Sequence, residues 1–298
     1  MKAAAQPDSE NALATLTRVD AAAEKVRVES RRSGWGVLRH QARIVFVIAS
    51  SEFKVKYADS ALGYVWSLLK PLGLFAMLYV VFGRFLKIGA GIPHYPLYLL
   101  LGIVLWTFFS DATSLGMESI VKRSTLLSKL AFPRVVLPVS ITAFSAITFG
   151  VSLVAFAVLI GINGIVPDAE WLLIPVLLLE LYIFVLGLTF FLSTIFVRLR
   201  DIGQVWELTL LLLFYASPII YSAAALPAWF QKITFLNPFV QVAQDVRSIV
   251  LPSSGTVTAA TVYGSPLGEL LPIAVAMVFF GAGYLFFRRE EPWLAERA

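Results

Sequence analysis

The 298-residue chain contains no cysteine, only two histidines and few charges, with Asp, Glu, Lys and Arg together at 14%. Without thiols there is neither a disulfide framework nor a thiolate metal site, and no redox indication of compartment. No G-x-x-x-x-G-K-[ST] sequence occurs, so the chain lacks a P-loop and supplies no ATPase of its own. What fills the space left by charge is apolar: 58% hydrophobic residues and a mean hydropathy of +0.80 lie far from soluble-domain averages. The chain is expected to live in a bilayer.

Apolar runs over 66–85, 97–117, 135–161, 171–196, 206–221 and 269–287 predict six spans, the fifth of them short. The expected fold class is an all-α polytopic membrane protein. Of the 24 lysines and arginines, 20 fall before the first span, at its foot (Lys70), in the 122–134 loop, at 198–200 or after the last span. Arg84, Lys87, Lys232 and Arg247 remain for the other face, so the positive-inside rule places both termini in the cytoplasm. A nucleic-acid role for the basic balance is disfavoured, because the charges are spread over separate segments without a binding module. His40 and His94 are expected on opposite sides of the membrane, which excludes a shared metal site or a histidine-based catalytic pair within one chain. The pairs Gly89/Gly91 and Gly281/Gly283 are not nucleotide sites: the first belongs to an expected external loop, the second to a span, where small residues let helices approach.

Residues 1–34 carry no apolar signal-peptide core, and their mixed Glu, Arg, Ala and Ser content predicts a disordered cytoplasmic tail. The rest, 35–298, reads as one transmembrane domain. Over 35–57, Leu38, Val45 and Ile48 stand at near-helical spacing, but the apolar run ends after Ala49 and is too short to cross. An amphipathic helix on the inner leaflet is expected, the alternative being a cytoplasmic helix packed against the underside of the domain. Between the fifth and sixth spans, YSAAALPAWFQKITFLNPFVQVAQDV is apolar yet broken by Pro227, Lys232, Asn237 and Pro238. Two re-entrant half-helices are expected, against a surface loop whose aromatics mark the headgroup level.

Three groups of motifs give the chain a family resemblance. FKVKYADSALGYVWSLLKPL at 53–72 has a basic segment followed by S-x-LG-x-x-W and a proline; LLSKLAFPRVVLP at 126–138 carries FPR-x-x-LP; and RDIGQ at 200–204, SPIIY at 217–221 and NPF at 237–239 follow in order. This set resembles the permease subunits of ABC-2 transporters, specifically the exporters of polysaccharide, O-antigen and teichoic acid. Ser51 and Glu52 stand where that family usually has Arg-Asp, and Ala58-Asp59 replaces a more basic pair.

The resemblance implies a homodimer joined to two copies of a separate ATPase, which bind the ATP and magnesium, with no cofactor in this chain. It also implies a cytoplasmic (inner) membrane location and a lipid-linked glycan as cargo. In the family the loop between spans two and three is a coupling helix docked on the ATPase. Lys122, Arg123, Lys129 and Arg134 offer cations for that contact, Phe132 an apolar knob, and Pro133 a stiffened return. Arg43, Lys54, Lys56 and Tyr57 are expected to frame a lateral opening for the carrier lipid and its phosphates. Tyr215, Pro218, Tyr221, Trp229 and Phe230 are expected at an outer gate, where aromatic faces suit sugar rings.

Asp111 and Glu180 sit at expected membrane depth, where a charge costs about 2.5–3.5 kcal/mol on insertion scales, and are expected to face the bundle interior or to be protonated. Such acids raise a rival, a proton-driven secondary transporter, which predicts inverted repeats that the sequence lacks. A membrane-embedded glycan-modifying enzyme needs a cluster of acids, a base or a metal site, and only Arg200-Asp201 is tight enough. An ABC-2 exporter of lipids or drugs shares the coupling logic and is the nearest alternative.

Overall fold

A computed structural model describes residues 34–58, 63–123 and 133–297, and among these the chain is helical with no strand. Ten α-helices follow in order: α1 (Gly34–Ala58), α2 (Gly63–Leu78), α3 (Tyr95–Lys122), α4 (Val136–Ile162), α5 (Ile174–Arg198), α6 (Ile202–Ala216), α7 (Ala228–Thr234), α8 (Pro238–Val250), α9 (Ala259–Tyr263) and α10 (Leu270–Arg297). A π-helical stretch, Tyr79–Phe85, extends α2, and short 3-10 turns lead into α5 and α10. Lys129 and Phe132 lie outside the described residues, as does the 1–33 part of the expected tail.

α3 is the central helix. Leu99, Ile103, Leu105 and Phe109 are at most 1% exposed, because α3 is apolar on nearly all sides over its first half and is packed by α2, α4, α5, α6 and α8. The outer surfaces of α4, α5 and α10 remain apolar, with Val154, Val158, Val176, Val278 and Leu285 exposed. In water such a surface aggregates; in lipid it is the expected contact face.

Five of the described helical segments are long and apolar enough to cross a membrane: Leu68–Phe85, Tyr95–Lys122, Val136–Ile162, Ala169–Arg198 and Leu267–Glu291. They correspond to the expected spans one to four and six. The helix expected over 206–221 runs instead as Ile202–Ala216, 15 residues, and the chain turns at Ser217. At 1.5 Å per residue it covers only about 22 Å. It reaches partway, and the buried residues 217–220 with the buried helix α8 complete that end of the bundle.

α1, Arg123, Arg134 and Arg198 converge at one end. Ile44 and Ile48 of α1 pack on Val136 and Leu137 at the start of α4. Arg123 at the end of α3 pairs with Glu52 of α1 at 2.6 Å. Arg134 bonds to Glu291, and Arg198 of α5 pairs with Glu290, both on α10.

Small residues set the tightest crossing, between α5 and α10. A Cβ on Gly283 would lie 2.2 Å from the Gly187 carbonyl oxygen, and one on Gly187 would lie 2.5 Å from Cα of Phe280, whereas a Cβ on Gly281 meets nothing within 4 Å. The neighbouring atoms are backbone, so the helices must separate to admit a methyl group. Gly283→Ala is therefore expected to destabilise by about 1–3 kcal/mol. Gly281→Ala is expected to be neutral or stabilising by up to about 1 kcal/mol, through helix propensity. Thermal unfolding of the detergent-purified protein separates the two.

Candidate functional site

Two clusters collect most of the expected functional residues, one at each end of the bundle. At the basic end, the feet of the 123–133 connection are fastened to other helices. Arg123 Nε donates to Glu52 Oε1 at 3.0 Å in addition to the Nη2 contact, so the departure from the family pattern at Glu52 still leaves a charge partner. The Arg134 backbone N–H donates to Glu291 Oε1 at 3.1 Å, while its guanidinium donates to the Glu291 carbonyl oxygen. Lys122, 62% exposed, pairs with Glu118 one turn back at 2.5 Å. Pro133 is exposed. Thus of the expected coupling cations, Arg123 and Arg134 are tied into the bundle and Lys122 projects from it.

The residues expected at the lateral opening lie on α1. Arg43 and Lys54 are exposed; Lys56 and Tyr57 continue the helix, and their side chains lie outside the described ones. Ile44, Ile48 and Ala49 face the protein while Phe46, on the opposite side, is 67% exposed. Between α1 and α4 runs an apolar cavity of about 620 Å³, lined by Val45, Phe46, Ala49, Val136, Val139 and Tyr182. His40 sits on this same helix, where burial and the neighbouring Arg43 lower its pKa. His94 caps the far end of α3, so the two histidines are not brought together.

At the opposite end, α8 is built in a way that the sequence does not advertise. Asn237 caps it by accepting from the Phe239 N–H at 3.0 Å, with Pro238 in the first turn, which turns the NPF motif into a helix start. Nearly the whole helix is buried, polar residues included: Gln241 and Gln244 at 1%, Asp245 at 8% and Arg247 at 0% exposure. The Arg247 guanidinium donates to the Pro218 carbonyl at 2.6 Å, the Ile219 carbonyl at 3.0 Å and the Tyr98 carbonyl at 3.0 and 3.2 Å. It also stacks 3.6 Å from the centre of the Tyr98 ring.

Around this guanidinium the carbonyls of the irregular 218–221 backbone are bonded. Tyr95 Oη donates to the Ile220 carbonyl at 2.8 Å, Tyr98 Oη to that of Tyr221 at 3.1 Å, and Gln244 Nε2 to that of Pro218 at 3.2 Å. Every carbonyl from Pro218 to Tyr221 thus has a side-chain donor. This is the condition for non-helical backbone inside a membrane protein. Gly102 makes room, since a Cβ there would lie 2.1 Å from Arg247 Nη2.

Of the expected gate residues, Tyr221 Oη donates to the Tyr215 and Ala216 carbonyls, both at 3.1 Å, and Pro218 is buried under Arg247. Tyr215 is exposed and edge-on to Phe214. Trp229 and Phe230 form their own edge-to-face pair on α7, with centroids 5.4 Å apart. Glu180 faces α8, beside Gln241, whose Nε2 donates to Asp245 at 2.5 Å. Among the described residues no group of three His, Cys, Asp or Glu side chains is arranged to hold a metal ion.

Residues 43–251, more than two thirds of the chain, match the family described as "ABC-2 type transporter". The chain belongs to the ABC-2 transporter family. The match runs from within α1 through α8, so Arg123, Arg134 and Arg247 fall inside the ABC-2 domain, while residues before 43 and the segments after 251, α10 among them, lie beyond it. Relatives within it include "O-antigen export system permease protein RfbA" of Klebsiella pneumoniae, 29% identical over 209 residues, which cover 70% of this chain and 80% of the relative. A second protein of that name, from Myxococcus xanthus, is 28% identical over 257 residues, 83% and 93% of the two chains. "Polysialic acid transport protein KpsM" of Escherichia coli is 23% identical over 277 residues, covering 88% and 98%.

Within this ABC-2 chain the residue that sequence reasoning missed is Arg247, which charge counting assigns to the external surface. A signal was present. An arginine in the compact stretch QVAQDVRSIV, downstream of a SPIIY segment that cannot satisfy its own carbonyls, pairs a surplus of donors with a deficit.

Proposed function

We propose that this chain is the membrane permease subunit of an ABC exporter that moves a lipid-linked polysaccharide outward across the bacterial cytoplasmic membrane. Two copies work with two separate ATPase subunits, which bind ATP and magnesium, and the chain itself is not an enzyme. The basic end is cytoplasmic, as are both termini; α6 with the 217–221 segment serves as the fifth, incomplete span; α1 lies at the inner leaflet; and α7 and α8 are re-entrant half-helices.

The observation that carries this reading is the fastening of the 123–133 connection to α1 through Glu52 and to α10 through Glu291. A loop pressed by a partner at this end moves α1 and α10 together with α3 and α4, which it joins, as a coupling element must. Lys122, Arg123, Lys129, Phe132, Pro133 and Arg134 are its working residues. The polysaccharide cargo rests on the relatives, whose names specify O-antigen and polysialic acid. The apolar cavity beside α1 supports a lateral opening there, with Arg43 and Lys54 exposed to meet phosphates at the leaflet surface. Tyr215, Pro218, Tyr221, Trp229 and Phe230 then belong to the outer gate.

Depleting the protein in cells tests the reading directly. Lipid-linked glycan is expected to accumulate on the inner face while surface glycan falls. Unchanged glycan distribution, together with ATPase activity stimulated by small amphiphiles, would instead identify a lipid or drug exporter.

A further inference from the structure

α3 changes character along its length. From 97 to 106 every position is buried; from 107 to 120 the positions that are not buried are Thr107, Ser110, Asp111, Ser114, Leu115 and Glu118. Five of these six are polar, and at spacings of three and four residues they form one stripe that continues to the exposed Lys122. Leu115, the apolar member, packs against Ala49 and Phe144. Away from the basic end, exposed positions on α4, α5 and α10 are by contrast apolar, as at Val154, Val176 and Val278.

Near the upper end of the stripe, Lys70 of α2 pairs with Asp111 at 2.7 Å, yet the lysine side chain remains 67% exposed and the aspartate 31%. Asp111 lies 11 residues above Lys122, a rise of about 17 Å, or half of a hydrocarbon core of about 30 Å. An ion pair left this open is costly against lipid tails, because neither charge has enough partners to replace water. Hydrated, it costs little. The stripe is also charge-balanced: Lys70 answers Asp111, and Lys122 answers Glu118 at 2.5 Å.

We propose that this face of α3 lines a water-filled vestibule, open at the basic end and closed above Thr107, in which the Lys70–Asp111 pair keeps the inner limit electrically neutral. Its hydroxyls and paired charges suit a hydrated, polyhydroxylated chain that must slide without being held by net charge. The cargo in this statement rests on the exporter reading; the water and the charge balance do not.

The cysteine-free sequence makes the test direct. Ser110→Cys, Ser114→Cys and, as a lipid-facing control, Val154→Cys are made singly and reacted in membrane vesicles with negatively and positively charged methanethiosulfonates. Both serine replacements are expected to react with both reagents, and Val154→Cys with neither. Lys70→Gln in the Ser114→Cys background is expected to favour the positive reagent by about threefold or more, and Asp111→Asn to favour the negative one similarly, as one uncompensated charge at this range implies. Loss of labelling at both serine positions while Lys122→Cys still reacts would overturn the vestibule. An unchanged reagent ratio in both charge variants would overturn the balancing role. Because labelling is read without glycan, these failures are separable from failure of the export reading.

Discussion

Arg247→Met is expected to be the most damaging single substitution in the chain. It keeps much of the side-chain volume but leaves the Pro218, Ile219 and Tyr98 carbonyls short of donors in a site where the arginine is 0% exposed. Orphaning buried groups of this kind costs about 3–5 kcal/mol. A lysine does not rescue it, because one ammonium cannot reproduce a planar fork that bonds three carbonyls and stacks on Tyr98. The expected result for both variants is a markedly lower unfolding temperature and poor accumulation in the membrane. Gln244→Leu, which removes one of the donors to Pro218, is expected to lose only about 1 kcal/mol. If Arg247→Met unfolds like the wild type, the 217–221 carbonyls are being satisfied by water, and the segment is already open.

The second large effect is functional and lies at the other end. Arg134→Glu replaces the guanidinium that bonds the Glu291 carbonyl with a carboxylate facing the Glu291 side chain, so the loop foot is repelled from α10 where it had been attached. Membrane insertion should survive, since the change is at an aqueous end and Arg288 still pairs with Glu291 at 3.1 Å. Export is expected to fall by tenfold or more, and ATP hydrolysis by the partner to lose its dependence on the permease. Glu291→Arg combined with Arg134→Glu restores opposite charges and should recover part of the activity. Recovery in the double variant points to the fastening; none points to Arg134 meeting the ATPase itself. Glycan distribution and ATPase rate, measured on the same membranes, distinguish these outcomes.

The parts of this protein that were legible beforehand are those governed by local composition. Apolar runs predicted five spans to within a few residues at most ends, because a helix in lipid satisfies its own backbone and only needs length. The 206–221 run misled for the same reason: hydropathy continues through Pro218, Ile219 and Ile220, but the helix ends at Ala216 and the apolar residues that follow are buried by α3 and α8. Small residues at Gly281 and Gly283 suggested a close helix approach without saying which glycine makes it; the rotation of α10 against Gly187 chose Gly283. The cations of the 122–134 region were visible as charges, but their partners Glu52 and Glu291 are 71 and 157 residues away from them in sequence, beyond the reach of any local pattern.

The sequence by itself determined that this chain is a helical membrane protein carrying no P-loop motif, with a basic end and a broken segment before its last apolar run. Hydrophobic length, charge asymmetry and the lack of a P-loop are additive along the chain and need no partners. Only the tertiary structure decided what Arg247, Asp111 and Glu52 do. A buried or half-buried charge has meaning only through the groups that answer it, and those groups are supplied by other helices.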